Sequence, residues 1–199
     1  MKSPLGIAIF GMAAILVVGF VGVAVFSGTN TGSSGLLDSY ARGEMRAFVT
    51  VEDPPAQPNL AYADGEGNEV RLSDYRGQVI LVNYWATWCA PCVEEMPALD
   101  SLQAELGGAD FQVVTVTLDR DIAAARDFFE RMELSNLPLI HDTTFSSPSQ
   151  VRAIGLPMSI LYDRQGREMG RVPAPAEWDS EDALALIRAA VERSPRIAS

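Results

Sequence analysis

Cys89 and Cys92 are the only cysteines of the chain, and they stand three apart in the run Trp85-Ala86-Thr87-Trp88-Cys89-Ala90-Pro91-Cys92. A structural zinc site takes four ligands. One Cys-x-x-Cys pair with a single histidine elsewhere, His141, does not supply them. What two thiols at this spacing do well is pass between dithiol and disulfide. The chain therefore reads first as a redox protein.

Cysteines at i and i+3 share one side of a helical turn. Their Cα atoms can then fall within the roughly 4.4–6.8 Å that a disulfide bridges. The pair follows a strand-like run and precedes a helix-like one, which puts Cys89 at a helix N-terminus. Unpaired N–H groups and the positive end of the helix dipole favour a thiolate there, and the thiolate is the attacking species. Cys89 is thus expected to be the exposed nucleophile and Cys92, one turn inward, the resolving thiol. Pro91 suits a first helical turn, where a missing N–H costs little. The competing reading is a purely structural disulfide. It would close so short a loop that the unfolded chain is hardly restricted.

The elements that must carry this pair follow from periodicity and turn residues. Residues 5–26 contain no charge, long enough for a helix to span a bilayer and longer than the roughly 7–15 apolar residues of a signal peptide. Lys2 precedes them and the next basic residue is Arg42. That asymmetry predicts a retained transmembrane anchor over 1–26, with its N-terminus inside and the globular part outside. A Gly/Ser/Thr-rich tether follows, and 27–53 is expected to be a flexible linker, with a short helix around 37–45. The domain is expected over 54–199. Lys2 is the only lysine, and 15 basic residues face 26 acidic ones for a net charge of −11. An acidic domain argues against nucleic-acid binding.

The domain begins with a predicted hairpin, residues 60–62 and 69–72 around a Gly-rich turn. Residues 79–85 are almost continuously apolar, as a central strand buried on both faces would be. A helix is predicted over 90–106, ended at Gly107-Gly108 and interrupted by Pro97. A second core strand follows at 111–118. The helix over 121–132 should turn Ile122, Phe128, Phe129 and Met132 inward. A short strand at 137–141, a short helix near 147–152, a hairpin of 158–162 with 168–172, and a last helix from Asp179 or Ser180 complete the series. This order gives a mixed α/β sheet with helices on both faces.

That layout with Trp-Cys-Ala-Pro-Cys resembles the thioredoxin fold. Residues 81–92, Glu94-Glu95-Met96-Pro97, Gly155-Leu156-Pro157 and Asp163-Arg164-Gln165-Gly166 resemble more narrowly the TlpA/ResA branch. Those are membrane-anchored thiol:disulfide oxidoreductases of bacteria, and the TlpA type is the nearer match. The resemblance implies a thioredoxin fold with an N-terminal β-hairpin and a central insertion, preceded by one transmembrane helix. It implies a periplasm-facing protein-disulfide reductase on the bacterial inner membrane that needs no cofactor and no metal. Its implied clients are copper-site proteins of cytochrome oxidase or apocytochromes c. Its electrons would come from a membrane thiol transporter.

Position by position, the resemblance makes Pro157 a cis-proline facing the cysteines and, with Leu156, part of the substrate-binding surface. Glu95, three residues after Cys92, would move a proton during exchange; as a residue it reads equally as a solvated helix glutamate. Asn83 stands where many thioredoxins carry a buried aspartate, which raises the weight on Glu95, and otherwise it is a satisfied core amide. Met158 replaces a frequent threonine. Trp85 reads as core, Trp88 as a flat docking surface beside the nucleophile, and His141 as structural or superficial. Rival activities are a disulfide oxidase or isomerase, and a non-enzymatic Cu(I) chaperone holding copper on the two thiols.

Overall fold

In the computed structural model, which describes residues 35–51 and 53–196, strand β3 (Val79–Trp85) is buried along its whole length. Its side chains alternate between two cores. Val79, Leu81 and Trp85 join one, and Ile80, Val82 and Tyr84 join the other. A strand whose two faces are both dry must be apolar throughout, which is why this run shows no polar alternation. Only Asn83 breaks the pattern.

Around β3 lies a seven-stranded sheet of order β2-β1-β5-β4-β3-β6-β7. Its other strands are β1 (Tyr62–Asp64), β2 (Glu69–Val70), β4 (Phe111–Thr117), β5 (Leu139–His141), β6 (Met158–Tyr162) and β7 (Glu168–Val172). β3 runs parallel to β4, which runs parallel to β5. It is antiparallel to β6, with Tyr84 opposite Met158 and Asn83 opposite Ser159. The helices are α1 (Ala90–Leu106), α2 (Ile122–Arg131), α3 (Ser147–Gln150) and α4 (Glu181–Arg193). A long segment connects β4 to β6. It supplies α2, β5 and α3, and β5 joins the β1–β2 hairpin to the main sheet. The long helices α1, α2 and α4 all send buried side chains into the core that holds Trp85 and the cysteines. The opposite core is closed by short pieces instead, the 3-10 turn Leu72–Tyr75 and Val151 after α3. Helical elements thus cover both faces as expected, with three long helices on one and only short pieces on the other.

Three local expectations also change. The first hairpin strand begins at Tyr62, two residues later than its apolar start suggested. Met132 is 44% exposed because α2 ends at Arg131 and the chain turns outward, while Phe128 and Phe129 pack as expected. The expected flexible linker over 27–53 gives way across 35–51 to a docked strap. It holds two 3-10 turns, Asp38–Tyr40 and Gly43–Met45, in place of a helix. Leu37, Met45 and Phe48 of the strap are buried in the first core. Val49 exchanges backbone hydrogen bonds with Arg171, so the strap pairs with the free edge of β7. Arg42 and the Glu44 N–H meet Asp182, and Arg193 donates to the Leu36 carbonyl and lies 5.0 Å from the Tyr40 ring. The expected transmembrane segment lies outside the described residues. Among those residues no helix is long and apolar enough to cross a membrane.

The Phe48 ring sits directly on the backbone of Gly170, where an added Cβ would enter the ring. Overpacking of this kind typically costs about 1–3 kcal/mol. Gly170→Ala is expected to lower the denaturant midpoint accordingly, and the smaller Phe48→Leu in the same chain to recover part of the loss. An unchanged midpoint in the single variant would show that the ring does not rest there.

Candidate active site

Helix α1 starts at the end of the chain's most buried strand. Trp85 closes β3, three residues cross over, and Cys89 is the N-cap of α1 in an extended conformation. The Cys89 carbonyl accepts from the N–H groups of Cys92 and Val93 and so begins the helix. Pro91 occupies the first turn as expected. The crossover is clamped by Asp119, just beyond β4. Its carboxylate accepts from the Thr87 N–H at 3.0 Å, the Thr87 hydroxyl at 2.7 Å and the Thr117 hydroxyl at 2.6 Å. His141 has a structural part in the same clamp, since its Nε2–H donates to the Asp119 carbonyl at 2.7 Å.

Cys89 and Cys92 form a disulfide, with Cα atoms 5.2 Å apart. Cys92 is fully buried and Cys89 keeps 7% of its surface. The nucleophile expected to be exposed is therefore reachable only at a rim, while Cys92 lies inward as expected. Trp88, immediately before it, is 70% exposed. Trp85 is core, its ring 5.3 Å from Phe128 and 5.7 Å from Phe129.

The peptide bond between Leu156 and Pro157 is cis. Pro157 precedes β6, whose first residue pairs with Tyr84 near the end of β3. The proline loop and the cysteine crossover thus leave the sheet at the same end. Leu156 is half-buried against both cores, and Met158 points into the second core.

Glu95 is not a solvated helix residue. It shares the buried stripe of α1 with Cys92, Met96, Leu99 and Leu102, and is 4% exposed. Its Oε1 accepts from Asn83 Nδ2 at 2.8 Å. Its Oε2 accepts from the Ala176 N–H at 3.0 Å and the Trp178 indole N–H at 3.1 Å. Asn83 also donates to the Ser159 hydroxyl at 2.9 Å. Burial pushes the carboxyl up from 4.5 to about 7, because the three donors only partly offset the loss of water. A group poised near neutrality, one helical turn from the inner cysteine, suits proton transfer to and from a thiol. Sequence reasoning missed Ala176, Trp178 and Asp119. A tryptophan just before the α4 cap is the one signal that pointed to a buried N–H in need of an acceptor.

Raising the folded-state pKa of a carboxyl favours the neutral form. The stability it contributes is complete below about pH 4.5 and is lost as pH rises to about 7. Glu95→Gln removes that titration. The stability of the oxidised protein relative to this variant is expected to fall by on the order of 3 kcal/mol across that window and to level off above it. A difference that stays flat with pH would show that Glu95 does not titrate there.

Residues 47–169, well over half of the chain, match the family model described as Redoxin. A ResA thiol-disulfide oxidoreductase from Bacillus thuringiensis is 29% identical over 110 residues, which cover 55% of this chain and 63% of the relative. Another, from Geobacillus kaustophilus, is 31% identical over 109 residues, covering 55% of this chain and 62% of the relative. The matched stretches thus span less than two thirds of those relatives. A Chlorobium tepidum structure described as a thiol:disulfide interchange protein, DsbE, is 29% identical with a TM-score of 0.64 and covers 71% of this chain and 99% of that one. On the fold, the cysteine pair and the extent of the match, the chain belongs to the Redoxin family and has a thioredoxin-like α/β fold.

Proposed function

We propose that the protein is a thiol:disulfide oxidoreductase that reduces disulfides in client proteins. The observation that carries this reading is the Cys89–Cys92 disulfide at the start of α1, one sulfur at the surface rim and the other inside. In the reduced form the Cys89 thiolate attacks one sulfur of a client disulfide. The client's other sulfur leaves as a thiolate, and a Cys89–client mixed disulfide remains. Cys92 then loses its proton and attacks the Cys89 sulfur. The second client thiol is released and Cys89–Cys92 re-forms, so two electrons have passed to the client. Glu95 takes the Cys92 proton in this step and returns it when the pair is reduced again. The cis Leu156–Pro157 loop offers backbone for an extended client segment, and Trp88 offers a flat apolar contact beside it.

The reading extends to place and partners. The charge-free stretch 5–26 would anchor the chain in the bacterial inner membrane with the domain in the periplasm. Because that compartment is kept oxidising, electrons must reach the pair through a membrane thiol transporter. Suitable clients are proteins whose cysteines must be reduced before they take up a metal or haem, namely copper-site proteins of cytochrome oxidase or apocytochromes c. The ResA relatives and the DsbE-described structure support thiol–disulfide exchange by similarity, and the reductive direction is this reading's own.

Cys92→Ser is expected to accumulate mixed disulfides through Cys89 in cells, and Cys89→Ser to accumulate none. Sequencing the trapped partners names the client. Equilibration of the wild-type pair with glutathione is expected to place it toward the reducing end, near about −270 mV; a value near about −120 mV would make the protein an oxidase instead. Trapping through Cys92 in place of Cys89 would reverse the two roles.

A further inference from the structure

The strap meets the donors of Glu95 from two sides. Inside, Phe48 and Trp178 line one tightly packed space with Leu161, Gly170 and Leu186. Outside, Glu44, Arg46 and Ala47 form one wall of a groove of about 470 Å³, whose other wall includes Pro91, Glu95 and Ala176. The segment 174–178 therefore borders the strap twice, Trp178 beside Phe48 inside and residues 174–177 across the groove outside. From this segment come two of the three hydrogen bonds that Glu95 receives. It has no regular secondary structure of its own to hold it. Its placement rests on what packs against it.

We propose that the strap over residues 35–51 is a positioning element for Glu95, with Phe48 as its anchor: by packing against 174–178 it keeps the Ala176 and Trp178 N–H groups on the carboxyl. The inference rests on the reading of Glu95 as the proton carrier for Cys92. Its physical content is simple. A donor to the ionised form holds a carboxyl's proton affinity down. When the strap loosens and 174–178 relaxes while the carboxyl stays buried between α1 and β3, the donors withdraw and Glu95 keeps its proton to higher pH; entry of water would act the other way. The charged groups around the groove that Glu95 lines are Glu44 and Arg46 from the strap, Glu94 from α1 and Glu177 from the loop, and Cys92, held in the disulfide, does not titrate. β3 and β6 contribute only the neutral Asn83 and Ser159. Glu44, Arg46, Glu94 and Glu177 are exposed, so added salt screens their effect. It leaves the effect of the buried donors in place.

The test uses the full-length oxidised chain in detergent and follows the Asn83 side-chain amide by NMR as pH is varied. That amide donates to Glu95 directly, so its shift reports the ionisation midpoint. Phe48→Ala is expected to raise the midpoint by about half a unit or more, equally at low and high salt. Phe48→Leu is expected to restore most of the wild-type value. Asp182→Ala loosens the strap from the solvent side, by removing the partner of Arg42 and of the Glu44 N–H. It spares the core, and it is expected to move the midpoint the same way by less. Trp178→Phe, which deletes one donor outright, sets the scale. A midpoint that stays at the wild-type value, or falls, while hydrogen exchange shows the strap opened would overturn the proposal. A different result would remove the reading beneath it. If Glu95→Gln leaves the pH profile of client reduction unchanged, Glu95 carries no proton, whatever the strap does to its midpoint.

Discussion

A carboxyl taken out of water must be given donors or kept neutral. Glu95 receives three donors from two distant parts of the chain, Asn83 on β3 and Ala176 and Trp178 before α4. Each bond constrains the others. Asn83 can reach Glu95 only if α1 lies across β3 with Cys92 on the same buried stripe. Trp178 can reach it only if the chain returns from β7 over the start of α1. The interaction thus ties the helix that carries the cysteines to the strand that precedes it and to the segment that closes the fold. A buried apolar residue at position 95 would pack at least as cheaply. The arrangement makes physical sense as a way to keep a proton available beside a thiol.

The sulfur pair depends on a second set of constraints, all local to the crossover after β3. Because β3 is buried on both faces, its last residue is fixed by packing, with Trp85 against both Phe128 and Phe129 of α2. The next residues are then fixed by Asp119, which satisfies both the backbone and the hydroxyl of Thr87. Cys89 begins α1 from a defined position and cannot drift along the surface. The helix geometry alone then places Cys92 inside. One sulfur at the rim and one in the core is a consequence of where a helix starts.

What could be read from the residues follows the range of the forces involved. The cysteine pair, the extent of α1, the buried β3 and the hairpin of β6 and β7 are set by neighbours a few positions away, and periodicity reports them. The cis-proline was legible only through Gly-Leu-Pro and a family resemblance, since nothing in the composition of that tripeptide requires it. The surroundings of Glu95 were not legible. Its partners stand 12, 81 and 83 positions away, and no local pattern links them. The strap was misread for a related reason. Leu37, Met45 and Phe48 are spaced as on one face of a helix, yet they are presented by 3-10 turns and one isolated bridge. Irregular backbone with a Gly/Ser-rich run before it looks like a linker until the groove that receives it is known. Met132 shows the opposite error: the helical period was sound, but the helix stopped one residue short of it.

The choice of an amide at position 83 can be argued from the same geometry. The side chain there lies within hydrogen-bonding distance of Glu95 in a dry interior. An aspartate in its place would put two carboxyls in one site, where like charges prevent both from ionising and the pair titrates as a unit with its two steps pushed apart. Asn83 avoids this. It donates to Glu95 and to Ser159 and carries no proton of its own into the exchange. The buried site is left with a single acid, whose proton affinity is set by burial on one side and by N–H donors on the other. Such an acid can be tuned without touching the cysteines, by moving the donors. In this chain two of those donors sit on an irregular segment held from outside the sheet. The acid beside the cysteines thus takes two of its donors from residues 81 and 83 positions away.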